Sequence, residues 1–147
     1  MSTQAAVFVE NQDGTYTGTE ITSDGYIEVV NPRRLKCPQA YGAGWILGNY
    51  WNNDEEVEKL ARGNAVHCLG RDLYDTDRYS WRQNGLDNLT FDQVRKLGYS
   101  YIYLFRNGSW SVACPWSKHF GDITLDLGSF LDYDDPERFF DHEDFWN

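Results

Sequence analysis

Along "AAVFVENQDGTYTGTEI", Val7 and Val9 alternate with positions expected to be exposed, a period of two that predicts a β-strand. Asp13-Gly14 then supplies a two-residue turn and Tyr16 to Ile21 returns, so the stretch predicts a hairpin. A second Asp-Gly turn, Asp24-Gly25, leads into a short apolar run that Pro32 interrupts or ends, since proline removes a backbone donor. "AYGAGWILGNYW" holds three glycines and four rings. It lacks the Lys-Ser/Thr ending and preceding strand of a phosphate loop, and predicts a packed loop in which glycine allows close backbone approach.

The pattern next shifts to a helical period. In "NNDEEVEKLARG", Asn53 is suited to N-cap a helix, and Asp54, Glu55 and Glu56 suit the positive end of its dipole. Val57, Leu60 and Ala61 form its apolar stripe and Gly63 can stop it. Short strands are expected at Val66 to Leu69 and at Arg78 to Gln83. A second helix is predicted from about Phe91 to Leu97, opened by the capping box Thr90-x-x-Gln93 and the staple pair Leu89 and Val94, and followed by Gly98. "SYIYLFRNGSWSVACPW" then reads as a hairpin about Asn107-Gly108. That turn sets Arg106 opposite Ser109, Phe105 opposite Trp110, Tyr103 opposite Val112 and Tyr101 opposite Cys114, so one face is wholly aromatic or apolar. The other face, with Ile102, Leu104, Arg106, Ser109, Ser111 and Ala113, is expected to be half-buried. Ile123 to Leu127 alternate as an edge strand. The fold class that follows is α+β: an antiparallel sheet built from hairpins and packed by two short helices. Residues 1–131 form one domain of that class and residues 132–147 an acidic, aromatic C-terminal tail.

Charge sharpens that division. The chain of 147 residues carries a net charge of −10. From Asp132 onward seven acids stand against Arg138, giving −6, so the first 131 residues carry only −4. Such a balance argues against direct nucleic-acid binding, which needs basic groups to replace phosphate counterions, and favours a basic protein partner. No signal peptide or membrane-spanning run is legible, so a cytosolic protein with no membrane association is expected. Cys37, Cys68 and Cys114 are odd in number and widely spaced, which predicts reduced thiols. The sequons at Asn88 and Asn107 are then chance matches.

Candidate chemistry is sparse. The hairpin rings Tyr101, Tyr103, Phe105 and Trp110 could stack bases, but such sheets also carry positive charge, and the usual burial of aromatics favours a core under the second helix. His67-Cys68, His119 and His142 are scattered, with no metal-ligand or nucleophile spacing. No cofactor, metal or catalytic residue is therefore assigned, and a non-enzyme is expected. Arg33, Arg34 and Lys36, with Tyr41 and Trp45 and the nearby Tyr50 and Trp51, offer an alternative site for a nucleotide: guanidinium groups on phosphate and a ring on the base. A solvated basic patch is the plainer reading of them.

The tail combines Asp132, Asp134, Asp135, Glu137, Asp141, Glu143 and Asp144 with Phe139, Phe140, Phe145 and Trp146. Solvating tails carry acid without rings, so this segment is expected either to fold back on the domain or to bind a partner, with rings as anchors and carboxylates selecting a basic surface. Asp134 or Asp135 can cap a short helix there, with Pro136 in its first turn.

The stretch "DGTYTGTEITSDGYIEVV", followed by "NYWNNDEEVEKLARGN" and "DTDRYSWR", resembles a group of small phage-encoded accessory proteins. That group has an N-terminal hairpin, an Asp-Gly-Tyr-Pro-Glu turn leading into a helix, and a short helix ending before a glycine. Here the turn is Asp24-Gly25-Tyr26-Ile27-Glu28, with isoleucine in place of proline, and Pro32 falls where the group's helix would continue. The likeness covers about the first hundred residues and implies an origin in a bacteriophage accessory gene, a class rich in small acidic proteins that disable host defences by binding. The resulting expectation is a non-enzymatic inhibitor, in the bacterial host cytoplasm, of a defence or nucleic-acid-handling protein with a basic surface, acting stoichiometrically and by nucleic-acid mimicry in one form. Sequestration of a nucleotide immune signal and a role in virion structure or assembly are the alternatives.

Overall fold

A computed structural model describes residues 3–27, 42–69 and 86–115, and the backbone of 124–126. The run ending at Pro32, the strand expected at Arg78 to Gln83 and the tail lie outside the described residues. The elements are β1 (Ala5–Glu10), β2 (Tyr16–Ile21), α1 (Ala43–Tyr50), α2 (Asp54–Ala61), α3 (Phe91–Arg95), β3 (Tyr101–Arg106), β4 (Ser109–Ala113) and β5 (Thr124–Asp126). They form one five-stranded sheet in the order β2-β1-β3-β4-β5, an α+β arrangement.

Both predicted hairpins form, and local chemistry explains their turns. At Asn107-Gly108 both residues take positive φ, 51° and 74°, as a two-residue turn matched to strand twist requires. The β1–β2 connection differs from the two-residue turn expected at Asp13-Gly14. Gly14 N–H donates to Asn11 O and Asn11 N–H to Thr15 O, with Gly14 at φ 85°, so three residues turn the chain and glycine takes the left-handed position. The two hairpins join through β1 and β3, which run parallel with Ala5 beside Tyr101 and Val9 beside Phe105. The sheet is therefore not purely antiparallel, and the three helices among the described residues lie in the crossover between the hairpins.

Central placement also corrects the expected alternation in β1. Ala6 and Phe8 are as buried as Val7 and Val9, because helices cover both faces of the sheet. One face gathers Ala5, Val7, Val9, Tyr101, Tyr103, Phe105, Trp110 and Val112 under Ile46 and Leu47 of α1 and Val57 and Leu60 of α2. The other gathers Ala6, Phe8, Ile102, Leu104 and Ala113 under Val94, with Phe91, Leu89 and Tyr99 packed around them. The aromatic hairpin face thus lies beneath α1 and α2, not beneath α3 as expected, and Ile102 and Leu104 on the reverse face are fully buried rather than half-exposed. The ladder between β3 and β4 begins at Ile102 and Ala113, so Tyr101 and Cys114 are not a registered pair.

The helix ends follow their caps. Asn53 accepts from Glu55 N–H and Glu56 N–H at the start of α2. The capping box of Thr90 and Gln93 opens α3, which closes at Arg95 because Lys96 N–H and Leu97 N–H tighten onto Gln93 O and Val94 O. α1 replaces the loop expected from its glycines. No cap side chain opens it; its first amides are satisfied from outside, Ala43 N–H donating to Asp24 O and Gly44 N–H to Tyr26 O. Gly44 is required there, since a Cβ would lie 2.4 Å from Ile27 O. The strand expected at Val66 to Leu69 reduces to one bridge, in which Val66 N–H donates to Glu20 O and Thr22 N–H to Val66 O along the outer edge of β2.

Candidate interaction surfaces

The described residues bring together some of the groups singled out in the sequence and separate others. Among the hairpin rings, Tyr101, Tyr103, Phe105 and Trp110 are at most 7 % exposed. Phe105 and Trp110 contact one another at 4.9 Å between ring centres, and Trp110 Nε1 donates to Trp51 O. Tyr103 donates its hydroxyl hydrogen to Gly25 O at 2.5 Å, and burial pushes that phenol well above its usual value. A ring so enclosed has no face to offer a base, which removes the stacking reading for this hairpin.

Of the alternative nucleotide site, Trp45 and the nearby Tyr50 and Trp51 are among the described residues; Arg33, Arg34, Lys36 and Tyr41 lie outside them. Trp45 projects from α1, partly buried against the first core, with its ring 5.8 Å from that of Tyr50, which is 43 % exposed. The sequence pattern places both residues in a loop, and helical geometry is what aligns them.

Two of the three cysteines can be placed. Cys68 is buried and its thiol donates to Asp24 Oδ2 at 3.4 Å, while His67 Nδ1 lies 3.3 Å from Thr22 Oγ1. Burial pushes the Cys114 thiol up to about 12, so that thiol is inert as a nucleophile at neutral pH. Among the described residues no group of three or more His, Cys, Asp or Glu could hold a metal ion.

The described surface is predominantly acidic. Asp54, Glu55 and Glu56 are exposed in the first turn of α2, where the helix dipole stabilises them. Glu58 pairs with Arg62, whose guanidinium also reaches Asn11 Oδ1 at 2.7 Å and ties the end of α2 to the β1–β2 turn. That turn exposes Asp13, whose carboxyl is held below its usual value by hydrogen bonds from the side chain and backbone of Thr15. Beyond the turn, Tyr16 Oη donates to Glu10 Oε2 and accepts from Arg106 Nη1, and Arg106 Nη2 donates to Ser111 Oγ. The guanidinium of Arg106 is thereby engaged by two hydroxyls across β2, β3 and β4.

The predicted partner-binding residues, Asp132 to Trp146, lie outside the described residues. No helix among the described residues is long and apolar enough to cross a membrane. No family model, curated protein or solved structure matches the chain.

Proposed function

We propose that this protein is a phage-encoded, non-enzymatic inhibitor that binds stoichiometrically to a bacterial anti-phage defence or nucleic-acid-handling protein in the host cytoplasm. The observation that carries the reading is the concentration of seven acids together with the rings of Phe139, Phe140, Phe145 and Trp146 between Asp132 and Asn147. Carboxylates at that density complement a basic groove, and Phe139, Phe140, Phe145 and Trp146 supply the burial that charge alone cannot. The exposed acids of α2 and of the β1–β2 turn extend the same sign of charge over the domain, which steers a basic partner toward it. Carboxylates occupying phosphate positions in a DNA- or RNA-binding groove are the mimicry form of this mechanism.

The test is capture from lysate of defence-bearing bacteria by the full chain and by a chain ending at Leu131, with bound proteins identified by mass spectrometry. A nucleic-acid-handling or immune protein retained by the full chain alone, with affinity that falls as salt rises, supports the reading. Equal retention by both chains, indifferent to salt, refutes the role of the tail. The nucleotide-sequestering reading draws on the Trp45–Tyr50 ring pair of α1, downstream of Arg33, Arg34 and Lys36. It predicts the opposite result: no captured protein, and a nucleotide released when the purified chain is denatured.

A further inference from the structure

The turn residues Asn107 and Gly108 carry a chemistry separate from their role in the hairpin. An asparagine followed by glycine reacts with its own backbone, because glycine puts no Cβ in the way of its nitrogen. The Gly108 nitrogen attacks Asn107 Cγ, the new N–C bond closes a succinimide ring, and the side-chain nitrogen takes up the proton that Gly108 gives up and leaves as ammonia. Water then opens the ring at one carbonyl or the other, giving aspartate or isoaspartate. Both residues are exposed, and among the described residues neither the Asn107 side chain nor the Gly108 N–H has a hydrogen-bond partner. The two Asp-Gly pairs differ: Gly14 N–H donates to Asn11 O and Gly25 N–H to Thr3 O, so their glycine nitrogens are engaged.

What restrains the reaction at Asn107 is its backbone. Ring closure needs the Gly108 nitrogen on the Cβ side of the Cα–C bond. At φ 51° Asn107 occupies the left-handed region, where ψ is about +45°, and that rotation turns the nitrogen to the side opposite Cβ. The ladder behind the turn holds it there: Arg106 pairs with Ser109 and Phe105 with Trp110, whose rings meet at 4.9 Å and are both buried. We propose that Asn107-Gly108 is a covalent modification site gated by its own hairpin: the closed turn withholds the nucleophile, the open turn cyclises, and the isoaspartate product keeps the hairpin from closing again. Isoaspartate brings the side-chain carbon into the main chain, so the turn no longer has the length that sets Phe105 opposite Trp110. β3 is the middle strand of the sheet and sends residues into both cores, so the damage reaches beyond the tip. Aspartate leaves the main chain unchanged, and Asp-Gly supports the same turn. A transient opening thus becomes a permanent loss through the isoaspartate branch, with or without a binding partner.

The full chain is incubated at mildly alkaline pH, folded and in guanidinium chloride, and conversion at Asn107 is followed by peptide mapping with mass spectrometry, which separates it from conversion at Asn84-Gly85. Conversion at Asn107 is expected to be slower in the folded chain by about tenfold or more, the factor by which closed turns outnumber open ones. Equal rates in the two states overturn the gating. Melting temperatures test the second half of the proposal. Asn107→Asp, which changes charge and not main-chain length, is expected to melt within about 2 °C of the parent, and the isolated isoaspartate form about 5 °C lower or more. An isoaspartate form that melts with the parent overturns the proposal. Should Asn107→Asp fail to fold, the aspartate and isoaspartate products separated from the aged parent are compared with each other: a lower melting temperature for isoaspartate supports the gate and equal melting overturns it.

Discussion

Replacing Gly44 by alanine sets helix propensity against geometry at one position. Inside an exposed helix the change would stabilise by about 1 kcal/mol, because glycine gives up more backbone freedom than alanine does. In α1 the new Cβ would stand 2.4 Å from Ile27 O, 2.6 Å from Ile27 Cα and 2.9 Å from Ile27 C. All three are backbone atoms, so no side-chain rotation relieves the overlap. The opposing segment is also pinned: Asp24 O and Tyr26 O accept from the first amides of α1, and Gly25 O accepts from Tyr103. Overpacking of this kind costs roughly 1–3 kcal/mol, and a clash against fixed backbone falls at the upper end, so a net loss of about 2 kcal/mol is expected. Urea denaturation followed by tryptophan fluorescence reads it directly. The midpoint should fall with the slope unchanged, since the surface exposed on unfolding is the same. A variant as stable as the parent, or more stable, would show that α1 does not approach Ile27 this closely and would refute the reasoning.

Two further changes probe the cores. Tyr103→Phe removes the buried hydrogen bond to Gly25 O and leaves that carbonyl without this donor, an expected loss of about 1–3 kcal/mol by urea denaturation; a loss near zero would mean that the bond does not hold β3 to the segment before α1. Thr19 is wholly buried beneath α2 and its Oγ1 has no hydrogen-bond partner, so Thr19→Val, of nearly the same shape, should raise stability by about 1 kcal/mol, and a lower melting temperature would contradict that account.

What the sequence determined by itself is what neighbouring residues decide between them. Asn53 and the Thr90–Gln93 pair specify helix starts because the cap and its amides lie within three residues of each other. Asn107-Gly108 specifies its hairpin because positive φ at two adjacent positions is a local demand, and the cross-strand pairs Phe105–Trp110 and Tyr103–Val112 follow by counting. The concentration of acid after Asp132 is legible for the same reason, being a property of the chain and not of its folding.

Only the tertiary structure decided the rest. α1 reads as a loop because glycine disfavours helices in isolation, whereas its first amides find Asp24 and Tyr26 and its apolar side finds the sheet. Pairing of β1 with β3 joins strands almost a hundred residues apart, and no short-range pattern encodes it. That one pairing makes both strands central and buries both of their faces. It also assigns α1 and α2 to the aromatic face and α3 to the other, the reverse of what chain order suggests for a helix lying just before its hairpin. Glu20 is a plain case: in sequence it is one more acid in an acidic chain, and only its pairing with Ala6 in β1 and the Val66 N–H bond to its backbone oxygen place the residue at 8 % exposure, because burial is set by everything that packs against a residue and not by the residue itself.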